Sequence, residues 1–312
     1  MAQLIKLEDY ISRYEQDFFH YPGQFLRMKK ESWISLKNKW EKQQYQLLEN
    51  ELQNEDKAES QEAKKKSWKL FSRKKEETND FFPDVDDVPL LPKNKEDLKQ
   101  YFLDYLYPFQ IKWASSTISQ SSFVDKGYQF DPLLKYLLQR FPDTFFVLYF
   151  PVFQLKNAVV EGNIIIITPV EILCLSILEE SKNTTFIANE GRTWYLEKDD
   201  IQKKTISPMI SLRRTENIVK SILKKYDISI PTYKVVLAKN NKIEFHSEPF
   251  HTNYIDETQY EGWFQRLRKL SSPLKHDQLK AGEALLKHCQ TTAVRRPEWE
   301  MEEDEDWGKF SQ

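Results

Sequence analysis

The sequence predicts an α/β (α+β) fold, a central mixed sheet flanked by helices. Three observations in the middle of the chain carry that prediction. Pro132 to Phe141 places Leu133, Leu134, Leu137 and Leu138 on one helical stripe. Three runs rich in β-branched and aromatic residues follow in close succession: Thr144 to Phe153, Asn163 to Thr168 and Ile172 to Leu178. A second helix, Leu212 to Tyr226, turns Ile218, Val219, Ile222 and Leu223 inward ahead of a strand at Tyr233 to Ala238. Helix, three-stranded meander, helix, strand is the pattern of a sheet covered by helices.

Composition sets the limits. The chain has 312 residues, 40% of them hydrophobic, enough for a substantial core. Lys and Arg number 46 against 48 Asp and Glu, a formal charge of −2, which excludes a uniformly basic nucleic-acid coat. Glycine occurs 7 times, far below the usual share of about 7%. No glycine-rich phosphate loop is present, so nucleotide-fold enzymes are poor candidates. Two cysteines, Cys174 and Cys289, supply neither a disulfide framework nor a four-ligand zinc site. The first 18 residues alternate apolar with charged positions, unlike a signal peptide, and no run approaches the roughly 18 apolar residues of a membrane span. A cytoplasmic protein is expected.

Four regions follow in order. Residues 1–50 read as a helical hairpin, or a dimerising coiled coil. Leu4, Leu7, Ile11, Tyr14 and Phe18 form one stripe, Pro22-Gly23 the break, and Leu26, Trp33, Leu36, Trp40 and Leu47 a second stripe. Residues 51–92 read as a charged flexible linker. Residues 93–270 form the α/β domain, with a helix at Asp97 to Tyr107, further strands at Thr184 to Ala188 and Thr193 to Glu197, and a final pair, Tyr233 to Ala238 and Lys242 to Phe245, joined by the turn dipeptide Asn240-Asn241. Residues 271–312 hold a helix, His276 to Cys289, and a disordered acidic tail.

Two segments stand out by charge. Lys64, Lys65, Lys66, Lys69, Arg73, Lys74 and Lys75 surround Trp68, Leu70 and Phe71 with no acid between. Basic charge interleaved with aromatics suits a phosphate backbone with base stacking, or an anionic membrane surface; a solvated spacer is the plain alternative. The tail carries seven acids in nine positions, among them Glu302, Glu303 and Asp304, flanked by Trp299 and Trp307. Such a segment recruits basic partners or occupies the protein's own basic surface. Arg213 and Arg214, at the start of the second helix, are candidate phosphate contacts or a solvated face. His246, Glu248 and His251 match no familiar metal spacing and read as loop polarity.

The stretch Gly162-Asn163-Ile164-Ile165-Ile166-Ile167-Thr168-Pro169-Val170-Glu171-Ile172-Leu173-Cys174-Leu175-Ser176, with Ser207-Pro208-Met209-Ile210-Ser211-Leu212-Arg213-Arg214 opening a helix, resembles the nuclease-related domain (NERD) family, of the restriction-endonuclease fold. The resemblance covers about residues 130 to 240. It implies a strand beginning with Asp, a turn at Pro, and a next strand ending in Glu-x-Lys, two carboxylates holding Mg²⁺ and a lysine orienting water. In ungapped register those positions are Asn163, Ser176 and Leu178, so the catalytic set is lost. A shifted register offers Glu161, Glu180 and Lys182 instead, at the cost of moving the Glu by about 13 Å along a strand. The expected function is therefore a non-catalytic binding or scaffold factor for nucleic acid or protein, without a cofactor. An Mg²⁺-dependent nuclease and a peripheral membrane adaptor are the alternatives.

Overall fold

A computed structural model describes residues 1–55, 91–156 and 158–296. The basic segment (Lys64, Lys65, Lys66, Trp68, Lys69, Arg73, Lys74, Lys75) and the tail residues Trp299, Glu302, Glu303, Asp304 and Trp307 lie outside the described residues. The chain divides into two units, Met1–Gly23 with Gln110–Gln312, and Gln24–Phe109.

The larger unit is built on a six-stranded sheet. Its strands are β1 (Gln3–Leu7), β3 (Phe146–Tyr149), β6 (Ile164–Ile167), β7 (Ile172–Ile177), β11 (Thr232–Leu237) and β13 (Thr252–Ile255), in the order β1-β3-β6-β7-β11-β13. β3, β6 and β7 form the expected antiparallel meander. β11 returns parallel to β7 after helix α4 (Met209–Lys225), and β13 extends the parallel side. Strands covered on both faces read as continuous apolar runs, as Ile164–Ile167 does; all four isoleucines are buried. Helix α3 (Pro132–Arg140) precedes the meander. Asp131 caps it by accepting from the Leu133 and Leu134 amides, and Pro132 sits where no amide is needed.

Further strands flank this sheet. β4 (Val152–Leu155) pairs with β5 (Ala158–Glu161), and β2 (Gln120–Ser121) with β14 (Val294–Arg295). A four-stranded sheet runs β10 (Ile201–Ile206), β9 (Thr193–Lys198), β8 (Thr185–Ile187), β12 (Lys242–Glu244). Asp199 and Asp200, both at positive φ, make the two-residue turn between β9 and β10, a conformation that Asp tolerates well. Helices α5 (Tyr260–Arg268) and α6 (His276–Leu286) complete the unit. Gln278 ties α6 to the sheet by donating to the carbonyls of Thr144 and Ile167.

The smaller unit holds most of α1 (Tyr21–Glu55) and α2 (Lys95–Trp113). Within it Trp33 packs on Phe102 with ring centroids 5.2 Å apart, and the Trp40 indole donates to the Pro92 carbonyl at 2.6 Å.

Four expectations need correction. The N-terminal stripe is a strand, β1, followed by a short turn, and not the first arm of a helical hairpin. Pro22 and Gly23 do not break a helix but lie in the first turn of α1, where Pro has no amide to lose. The run Thr144 to Phe153 is two strands, because Phe150 at φ 47° redirects the chain ahead of Pro151. Asn240-Asn241 does not close a hairpin: β12 leaves β11 and pairs in parallel with β8.

Candidate functional site

The site is the face of the sheet beneath α4, at the end where β6 begins and β7 finishes. α4 is positioned by its buried stripe Leu212, Ile218, Val219, Ile222 and Leu223. That stripe turns Thr215 and Glu216 toward the strands, and both side chains find polar partners there.

Two rows of polar residues result. In the outer row, Asn163 stands one residue before the Ile164–Leu175 pair and so at the level of Ser176. The Asn163 amide N–H donates to Thr215 Oγ1, and the Thr215 hydroxyl donates to Asn163 Oδ1, both at 3.0 Å. Leu178 follows Ser176 on the same side by strand alternation. In the inner row, Lys234 of β11 pairs in register with Cys174 of β7. Its ammonium donates to Glu216 Oε2 at 2.5 Å and to the Phe250 carbonyl at 3.2 Å, while Lys220 reaches Glu216 Oε1 at 2.7 Å. Lys234 and Glu216 are 6% and 7% exposed, a buried ion pair between helix and sheet. Burial works to raise the Glu216 pKa, but the bonds from Lys220 and Lys234 prevail and hold the carboxyl below its ordinary range. Cys174 is fully buried in β7, and burial pushes its thiol up to about 12.

The β6–β7 register thus sets an amide and a hydroxyl at one level, with a leucine further along the same face. A hard divalent cation takes anionic oxygen ligands, and this donor set does not fit Mg²⁺. The shifted set is arranged differently. Glu161 closes β5 and lends its carbonyl to Arg214 at 3.1 Å. Glu180 lies past the end of β7, its amide donating to Asn241 Oδ1. Lys182 is exposed in the turn that follows. No hydrogen bond or ion pair joins these three side chains, and no group of three His, Cys, Asp or Glu able to hold a metal occurs among the described residues. Glu248 instead accepts from the Tyr254 amide at 2.7 Å, and His251 stacks on Tyr233.

Arg213 and Arg214 are both exposed near the start of α4. No acid occupies the first turn of this helix, so the helix supplies no carboxylate of its own to its positive end. Arg213 lies close enough to Tyr254 to counter part of the burial that raises that phenol to about 12. Sequence reasoning named the arginines but missed the buried Glu216–Lys234 pair. Lys234 sits inside a strand run otherwise read as apolar, and that interruption was the available signal.

No helix among the described residues is long and apolar enough to cross a membrane. No family model matches the chain, and no solved structure matches it. A curated RNA 2',3'-cyclic phosphodiesterase of Geobacillus stearothermophilus is 54% identical over 41 residues, which is 13% of this chain and 13% of that protein. A match of that extent shows no family.

Proposed function

We propose that this chain is a non-catalytic factor on a restriction-endonuclease-like core, similar to the nuclease-related domain, that binds nucleic acid. The order helix, strand, strand, turn at Pro, strand, helix, strand supports the core assignment: α3, β3, β6, β7, α4 and β11 follow it once β4–β5 and β8–β10, which lie outside the six-stranded sheet, are set aside, with the meander antiparallel and β11 parallel to β7. The observation that carries the non-catalytic reading is the outer row beneath α4. Where the resemblance needs two carboxylates and a lysine, Asn163 is held by Thr215, and its neighbours are Ser176 and Leu178. Arg213, at the acid-free start of α4, and the segment Lys64 to Lys75 supply the phosphate-binding charge in this reading. The acidic-aromatic tail is the segment for protein contacts.

The test pairs cleavage with binding. DNA and RNA incubated with the full chain in Mg²⁺ or Mn²⁺ should stay intact. Fluorescence anisotropy should show binding that weakens steeply with salt, and neutralising Lys64 to Lys75 or Arg213 should flatten that slope. Metal-dependent cleavage abolished by Glu180→Ala would overturn the reading in favour of the nuclease.

A further inference from the structure

A groove of about 770 Å³ opens between the end of β4 and the flank of α4 where its buried stripe meets the surface, and its chemistry is one-sided. Leu155, Ile218 and Ile222 make an apolar floor, and Lys156, Lys225 and His288 stand around it. None of the lining residues is acidic. The Lys225 ammonium lies 3.4 Å from His288 Nε2, so the two rim groups already share one space. Such a groove fits a segment that is anionic and aromatic at once.

The chain carries a segment of that composition. Between Glu298 and Asp306 there are seven acids, and Trp299 and Trp307 flank the densest part. We infer that this groove is the docking site of the chain's own C-terminal tail, a tryptophan seated over Leu155, Ile218 and Ile222 and the acids facing Lys156 and Lys225. Covalent geometry allows it. His288 and Arg296 are eight residues apart, so no more than about 29 Å of chain separates them. Trp307 lies eleven residues beyond Arg296, a reach of up to about 40 Å, so it can return to the groove from wherever Arg296 stands. Intramolecular tethering adds an effective concentration in the millimolar range, enough for a short motif of modest affinity. The inference does not depend on nucleic-acid binding.

Carbodiimide cross-linking of the full-length chain tests it, because that reagent joins a lysine amine to a carboxylate only when the two are in contact. An equal mixture of ¹⁴N- and ¹⁵N-labelled chains separates links within a chain from links between chains. The expected products are isotopically pure peptides joining Lys156 or Lys225 to residues 298–306. Their yield should fall at least about tenfold in Trp299→Ala/Trp307→Ala. Links from the tail to Lys64 to Lys75, isotopically mixed links, no links, or links indifferent to loss of both tryptophans would each overturn the assignment.

Discussion

The two polar rows beneath α4 are separated by one step along the strands, yet they are built on opposite principles. The outer row, Asn163 with Thr215, is neutral and satisfied by two reciprocal hydrogen bonds. The inner row, Glu216 with Lys234 and Lys220, is ionic and almost wholly buried on the Glu216–Lys234 side. Charge is absent where a metal-dependent nuclease would need it, and present where it locks helix to sheet. The same face of the same fold thus holds charge for cohesion and none for metal chemistry.

Breaking the inner row should produce the largest effect. Glu216→Ala leaves the Lys234 ammonium buried with no counter-charge and should cost about 3–5 kcal/mol in urea unfolding. The double variant Glu216→Leu/Lys234→Met should recover most of that loss, since it removes both desolvated charges together. If the double variant is as unstable as the single one, the pair is not the lock described here.

The outer row should cost less. Thr215→Val keeps the shape but removes both bonds to Asn163, for a loss of about 1–3 kcal/mol by the same measurement.

Acid distinguishes the two rows. An unfolded Glu titrates near pH ~4.3, and the folded Glu216 titrates lower. Its stabilisation is therefore complete above the unfolded value and is lost as pH falls through the folded one. Stability of the native chain and of Thr215→Val should decline in parallel below about pH 4, while Glu216→Leu/Lys234→Met should lose this component of the decline. A pH profile unchanged in the double variant would assign acid sensitivity to other carboxylates.

The gentlest change asks whether the outer row is a nuclease site lacking only its charge. Asn163→Asp/Ser176→Glu places two carboxylates at one level of one face. It should confer Mn²⁺ binding measurable by calorimetry at this position, with little change in urea midpoint. No gain of binding would argue against the register that equates Asn163 and Ser176 with a metal site.

How much of this was legible in the sequence depended on what buried each residue. The meander and α4 were readable because their apolar periodicity is local: Ile164 to Ile167, Ile172 to Leu175, and the Ile218–Val219–Ile222–Leu223 stripe. β1 was misread because its polar residues are buried too. Gln3 donates to the Asp143 carbonyl, and Lys6 reaches Glu15 at 2.6 Å and Thr291 at 3.0 Å. A strand whose Lys and Gln are 0% exposed shows no alternation, and Leu4, Leu7, Ile11 then happen to fit a helix. β12 followed the same logic: a turn dipeptide specifies a change of direction, whereas the partner strand, β8, lies more than fifty residues earlier. At the site, the β6–β7 register sets Asn163 level with Ser176, but the ionic row below them depends on a helix–sheet contact that no local pattern encodes.

The position of β1 also governs the order in which the fold can assemble. Gln3 pairs with Phe146 and Leu4 with Val147, more than 140 residues along the chain, and the whole Gln24–Phe109 unit lies between them in sequence. Closing so long a loop is entropically costly, and contacts of high sequence separation form slowly. A ribosome must deliver β3 before β1 has an edge to join, so during synthesis the first strand waits while the whole Gln24–Phe109 unit is made. Until then the backbone groups of β1 have no partner strand, which makes this first strand the segment most exposed to wrong pairing.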